Sequence, residues 1–171
     1  MGDTAFAESP RRPGMVVFDL DYTLWQFYAD CVSAPFVVQE KGDFPVIKSV
    51  DGQRLKPFPD SVKILKKLKE EGYLIGVASR SPTPSVAWKA IDAFEWRKFF
   101  DHSVITPGCK RHHIKELSKE SGVSPKEMIF FDDEHRNIRD LEDVVGVCCL
   151  VDGVSFEEVR KGFRKFAALN S

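Results

Sequence analysis

Short, continuously apolar runs alternate with amphipathic stretches along most of this sequence, and that alternation leaves few folds open. Met15-Val-Val-Phe18, Leu74-Ile-Gly-Val-Ala78, Ser103-Val-Ile-Thr106, Met128-Ile-Phe-Phe131 and Val147-Cys-Cys-Leu-Val151 read as strands. Between them lie helical patterns. One carries Val62, Ile64, Leu65 and Leu68, with Asp60 placed to cap it and Gly72 to stop it. A second starts after Pro82 or Pro84, a third spans Lys110 to Ser121, and a fourth fits Asn137 to Val144. Ser124-Pro-Lys-Glu127 and Ser155-Phe-Glu-Glu158 are capping boxes, the first for a short turn and the second for a final helix. Strands apolar at every position are covered on both faces, which means a parallel sheet between helices. Right-handed crossovers then give a doubly wound fold. The expected architecture is α/β and Rossmann-like, a three-layer sandwich around a central five-stranded parallel sheet. A length of 171 residues suits one domain. Residues 1–13 read as a flexible tail and residues 14–171 as that single domain.

One segment breaks the rhythm. From Cys31 to Pro59 no helical period appears. Phe44 to Val50, then Asp51-Gly52, then Gln53-Arg-Leu55 reads as a β-hairpin with a tight turn, since Asp-Gly favours left-handed backbone. The insertion, about residues 28–58, is expected to project over the carboxyl end of the sheet as a small flap, with no room for a large cap domain. Trp25, Phe27, Tyr28, Phe36 and Phe44 make this region dense in aromatics. Most of them are expected to pack the flap down, with one or two at the entrance to a site.

Composition excludes more than it selects. The net charge is −1, so nothing favours nucleic acid or an anionic membrane. The longest apolar stretch, Val144 to Val151, is too short for a bilayer, and no apolar signal core precedes the first strand. Cys31, Cys109, Cys148 and Cys149 form no C-x-x-C pair and read as reduced thiols. A cytoplasmic monomer is the expectation.

In a doubly wound sheet the chemistry lies beyond the carboxyl ends of the strands. The first strand ends in Asp19-Leu-Asp21, and alternate residues of extended chain point the same way. The fourth ends in Asp132-Asp133. If those strands are neighbours, three or four carboxylates meet, and such a group needs a cation or a proton. Oxygen ligands suit a hard cation, Mg2+ at a phosphate site. The second strand ends in Ser79-Arg80-Ser81, a hydroxyl and backbone N–H groups suited to an anion. Lys110, after the third strand, supplies a point charge for a phosphoryl oxygen. The set suits phosphoryl transfer. One aspartate can attack phosphorus while another protonates the leaving oxygen.

Phe18-Asp-Leu-Asp-Tyr-Thr23 resembles the first motif, D-x-D-x-T, of the haloacid dehalogenase superfamily. Ser79 matches its second motif, Lys110 its third and Asp132-Asp133 its fourth. Further stretches, Ala78-Ser-Arg80, Thr106-Pro-Gly-x-Lys110 and Phe130-Phe-Asp-Asp-Glu-x-Arg-Asn137, are similar to the eukaryotic magnesium-dependent phosphatases. The resemblance implies Asp19 as nucleophile and Mg2+ ligand. It implies Asp21 as general acid/base, lending its backbone carbonyl to the ion, and Asp133 as the main fourth-motif ligand ahead of Asp132. It assigns Ser79 and Lys110 to the phosphoryl group, with Arg80 and Tyr28 near substrate. Position 137 is asparagine where much of the superfamily has aspartate. The implied activity is Mg2+-dependent hydrolysis of phosphate monoesters through an aspartyl-phosphate, on small molecules or phosphoproteins. Phosphotyrosine-like groups and sugar phosphates on amino groups are the substrates suggested. The alternative is a phosphate-binding or phospho-signalling module without turnover.

Overall fold

The computed structural model describes residue 6 and residues 11–169. In chain order the elements are β1 (Met15–Phe18), β2 (Val37–Glu40), β3 (Val46–Lys48), β4 (Arg54–Leu55), α1 (Ser61–Glu70), β5 (Ile75–Ser79), α2 (Pro84–Ala93), β6 (His102–Ile105), α3 (Lys110–Ser121), β7 (Met128–Asp132), α4 (His135–Leu141), β8 (Val147–Leu150) and α5 (Phe156–Ala167). The five expected strands form one sheet of order β6-β5-β1-β7-β8. All its pairings are parallel, and β1 is flanked by β5 and β7. The first and fourth expected strands are therefore neighbours, as the gathering of carboxylates requires.

The apolar runs are continuous because each strand serves two cores. Val16 and Phe18 of β1 join Ile75, Val77, Ile129 and Phe131 on the face covered by α1, α2 and α5. Met15 and Val17 join Ala78, Met128 and Phe130 on the face covered by Ile114 and Leu117 of α3 and Leu141 of α4. Period-two side-chain direction thus assigns odd and even positions to opposite layers. It also fixes where the strand-end residues go, since Asp19 continues the series of Met15 and Val17, and Asp132 that of Met128 and Phe130. Among the described residues no cap domain stands over the sheet, and no helix is long and apolar enough to cross a membrane.

The insertion differs from the expected hairpin. It is a three-stranded antiparallel sheet of order β2-β3-β4, and β2 was not foreseen. Every residue of β2 is exposed, so no burial pattern marks it in the sequence. The turn after β3 is longer than the two-residue form. Ser49 N–H donates to Gln53 O at 2.9 Å around Val50-Asp51-Gly52, and Gly52 takes φ +92. That is the three-residue loop with a left-handed glycine. Ser49 Oγ donates to the Asp51 carboxylate and accepts from Gln53 N–H, fastening the turn. Ile47 and Leu55 belong to the same core as Val16 and Phe18, so the small sheet is packed onto the large one.

Two caps also differ. Asp60 makes no side-chain cap on α1; its own backbone is helical, and its carboxylate instead accepts from Phe156 N–H at 3.0 Å, at the start of α5. Ser155 caps α5 as expected, accepting from Glu158 N–H at 3.2 Å, whereas Ser124 makes no side-chain cap. The expected loose tail lies outside the described residues at 1–5 and 7–10. Where it is described it is packed. Phe6 stacks on Phe156 and Phe163, the Arg11 guanidinium lies over Phe166 and pairs with Glu127 at 2.9 Å, and Arg12 lies over Tyr73. All four cysteines are free thiols.

Candidate active site

The carboxyl ends of β1, β5 and β7 enclose a cleft of about 220 Å³, lined by Asp19, Asp21, Tyr28, Asp30, Ser79, Arg80, Ser81, Pro82, Lys110, Glu134, Arg136 and Asn137. Of the residues singled out from the sequence, Asp19, Asp21, Ser79, Arg80, Lys110 and Tyr28 all line it. Asp132 and Asp133 are not among the lining residues but lie close to Asp19.

Lys110 is the centre of the charge arrangement. It is wholly buried at the first turn of α3, on the face to which Asp19 and Asp132 point. Its ammonium donates to Asp19 Oδ1 at 3.0 Å and to Ala78 O at 2.6 Å, and pairs with Asp132 Oδ2 at 3.0 Å. Burial works against its charge, but the two carboxylates outweigh burial and hold its pKa above the ordinary lysine value. All three N–H donors of the ammonium are thus engaged within the protein. It neutralises the carboxylates first, and touches an incoming phosphoryl oxygen only by sharing a proton with them.

Asp132 and Asp133 divide. Asp132 has no exposed surface, and its oxygens are taken up by Lys110, by Glu134 N–H at 2.9 Å and by Asn137 Nδ2 at 3.0 Å. Asp133 is less committed: Thr23 Oγ1 donates to it at 3.4 Å and to Asp19 Oδ2 at 3.3 Å. Asp19, Asp132 and Asp133 bring one oxygen each within 4.8 Å of one another. Burial pushes the pKa of Asp19 well above the usual carboxylate range, with Asp132 and Asp133 adding repulsion against the pull of Lys110. Burial and the charge of Asp132 likewise push Asp133 up to about 6. Three converging carboxylates against one lysine leave negative charge unmet, and an oxygen donor set of this kind fits a hard divalent cation.

Asp21 is not part of that trio. It lines the same cleft as Asp19, but the chain turns after Leu20, where Tyr22 takes φ +55, and its carboxylate finds other partners. The Asp21 carboxylate instead accepts from Trp25 Nε1 at 2.8 Å and from Ala29 N–H at 3.1 Å. Burial raises its pKa, and these two donors pull it back only in part. A half-buried acid with raised pKa, held at the cleft wall, is placed to give and take a proton. Trp25 is buried and stacked on Phe27 and Trp96, in the packing role expected of most of these aromatics, and its indole N–H also aims Asp21. The only signal in the sequence was its spacing four residues after Asp21.

The insertion reaches the cleft through Tyr28 and Asp30, not through its strands. Tyr28 is about half exposed and rests against Tyr22, ring centroids 4.6 Å apart. The flap does not roof the cleft.

His113 follows His112 in the first turns of α3. It is fully buried on α3, with Nε2 facing Thr106 O at 2.8 Å, and so donates from Nε2. Burial and the Lys110 charge push its pKa down to about 4, against about 6.5 in an unfolded chain. Between those pH values the unfolded state takes up a proton that the folded state refuses. Stability therefore falls as pH drops from about 6.5 toward about 4, by on the order of 2 kcal/mol at pH 5. His113→Gln keeps a neutral donor for Thr106. The urea midpoint should fall less between pH 7 and pH 5 in the variant than in wild type; equal falls would show that His113 is not the group responsible.

Carboxylates gathered around a buried lysine at the switch point of a doubly wound sheet are the arrangement of phosphohydrolases of the haloacid dehalogenase type. Comparison with known proteins narrows this. A family model described as Acid Phosphatase matches residues 11–168, and the chain belongs to that family. Human magnesium-dependent phosphatase 1 is 35% identical over 160 residues, covering 92% of this chain and 89% of that protein. A HAD-like hydrolase superfamily protein of Schizosaccharomyces pombe is 36% identical over 160 residues, covering 87% of each. Among solved structures, a HAD-superfamily hydrolase from Ehrlichia chaffeensis superposes with a TM-score of 0.62 over 92% of this chain and 99% of its own, at 12% identity. At that identity the likeness speaks for the fold alone.

Proposed function

We propose that this chain is a Mg2+-dependent phosphatase that hydrolyses phosphate monoesters through an aspartyl-phosphate on Asp19. The observation that carries the reading is the group of three carboxylates gathered at Lys110, two of whose members are held above their ordinary pKa by burial and by one another's charge. Asp19 and Asp133 would hold Mg2+, together with the backbone carbonyl of Asp21. Asp132, saturated by Lys110, Asn137 and Glu134 N–H, orients that lysine. When bound, the ion neutralises charge on the phosphoryl oxygens and screens the nucleophile from them.

The chain's own groups do the rest. An Asp19 oxygen attacks phosphorus and the bond to the ester oxygen breaks. Asp21, in its protonated form, gives its proton to the departing oxygen, and burial favours that form. It then takes a proton from the water that attacks the aspartyl-phosphate, releasing inorganic phosphate and restoring Asp19. Ser79 and the N–H groups after β5 receive phosphoryl oxygens. The cleft of about 220 Å³ has room for the phosphoryl group and the atoms next to it, so the remainder of the substrate lies outside. Tyr28 at the rim would meet that remainder, and Arg80 would contact the substrate nearer the phosphoryl group. Phosphotyrosine in a protein and sugar phosphates attached to amino groups both fit an open mouth with an aromatic edge. We place the two sheets, residues 14 to 169, in one phosphatase unit, because one core runs through both.

With p-nitrophenyl phosphate, wild-type protein and Mg2+ should release many equivalents of phosphate, and EDTA should stop the reaction until Mg2+ is restored. Release limited to one equivalent would turn the reading toward a phospho-signalling module.

A further inference from the structure

The acidic motif after β7 ends in an asparagine that the mechanism above does not use. Asn137 is buried, and each end of its amide has a partner. Nδ2 donates to Asp132 Oδ2 at 3.0 Å, with Glu134 Oε2 at 3.5 Å as a weaker second acceptor. Oδ1 accepts from Arg80 Nη1 at 3.2 Å. Asp132 ends β7 and Arg80 follows β5, and these two strands flank β1. The amide therefore spans the end of the central strand, where Asp19 sits. Among the described residues this is the one hydrogen bond the Arg80 side chain makes, which leaves the rest of its donor fork facing the cleft it lines.

The chemistry of the position is selective. One partner is a carboxylate and needs a donor; the other is a guanidinium and needs an acceptor. A primary amide offers both at fixed spacing. Aspartate would satisfy Arg80 but set another negative charge against Asp132. Alanine would satisfy neither.

We propose that Asn137 is a positioning residue that anchors Arg80 to the Asp132–Lys110 pair, so that Arg80 meets an oxygen of the bound phosphoryl group. This rests on the phosphatase reading only for the identity of the ligand. A guanidinium fixed by one N–H gives up less side-chain freedom when it binds an anion with the others. Removal of the strut should therefore be felt as loss of anion affinity carried by Arg80.

The test is a double-mutant cycle read by calorimetric binding of inorganic phosphate in the presence of Mg2+, with KM and kcat for p-nitrophenyl phosphate in parallel. Arg80→Ala and Asn137→Ala should each weaken phosphate binding about tenfold, the scale of a charged hydrogen bond. The double variant should be weakened about tenfold as well, not about a hundredfold, because the two act as one unit. KM should rise with Kd while kcat stays within about threefold. Asn137→Ser keeps a short donor for Asp132 but falls short of Arg80; it guards against misfolding of the alanine variant and should bind phosphate as weakly. Additive losses, unchanged phosphate affinity in the Asn137 variants, or a fall in kcat with KM unchanged would overturn the proposal. Because binding is read directly, a wild-type protein without turnover would count against the phosphatase reading while the cycle still decides the role of Asn137.

Discussion

Asp19→Asn is expected to abolish hydrolysis and leave the protein folded. The loss in kcat should be at least about 10⁴-fold, the scale on which removal of a covalent nucleophile is felt. The second half of the expectation follows from the charges. Asp19 is buried beside Asp132 and Asp133, and burial above all resists its ionisation. Asparagine removes one negative charge from three carboxylates that share one lysine. Lys110 keeps Asp132 at 3.0 Å and Ala78 O at 2.6 Å, so the ammonium is not stranded. Without metal, the thermal midpoint should hold or rise. With Mg2+, the added stability should be smaller than in wild type, since one ligand of the ion is gone. Full turnover in the variant would exclude Asp19 as nucleophile. A lower metal-free midpoint would mean that the Lys110–Asp19 bond outweighs the repulsion.

How much of this was legible in the sequence depends on what each element contacts. β1, β5 and β7 form the middle of the sheet and are buried at every residue, so their apolar runs are unmistakable. β6 lies at the sheet edge and is only partly buried, and its run of His102 to Ile105 is correspondingly weak. β2 is exposed throughout and held by backbone pairing with β3, so nothing in its side chains announces it. The same logic sorts the site. Asp19, Ser79, Lys110 and Asp132 stand at the ends of elements whose periodicity is clear, and strand alternation was enough to bring Asp19 and Asp132 to one face. Asp21 reaches the same cleft as Asp19, but the turn at Tyr22 keeps its carboxylate out of the group of three. The hydrogen bonds of Trp25 and Asn137 were not legible because they are made to residues oriented or brought near only by the tertiary fold.

The largest effect on stability should come from Lys110→Met, a change that keeps length and packing while deleting the charge. Lys110 was expected to meet a phosphoryl oxygen from the start of α3, and it has no exposed surface at all. Its ammonium lies 5.2 Å from the Phe130 ring centroid and holds two carboxylates and a carbonyl. Buried ion pairs seldom raise stability over an apolar equivalent, but removing one partner leaves the other charged and unpaired in a low-dielectric site. Here two carboxylates would be left, and Asp133 stands beside them. A loss of about 3–5 kcal/mol at neutral pH is expected. Protonation of the orphaned acids should recover part of it, so the gap to wild type should narrow as pH falls toward 5. Loss of the lysine removes the main influence that lowers the already raised pKa of Asp19, and a carboxylate with a raised folded-state pKa favours the folded state more as pH falls. Adding Asp132→Asn to Lys110→Met should restore about half of the loss by neutralising one of the two stranded charges. Urea titrations at pH 7.5 and pH 5 measure all of this. A variant as stable as wild type at both pH values would mean that water reaches these carboxylates despite their burial, and that Lys110 serves only the bound phosphoryl group.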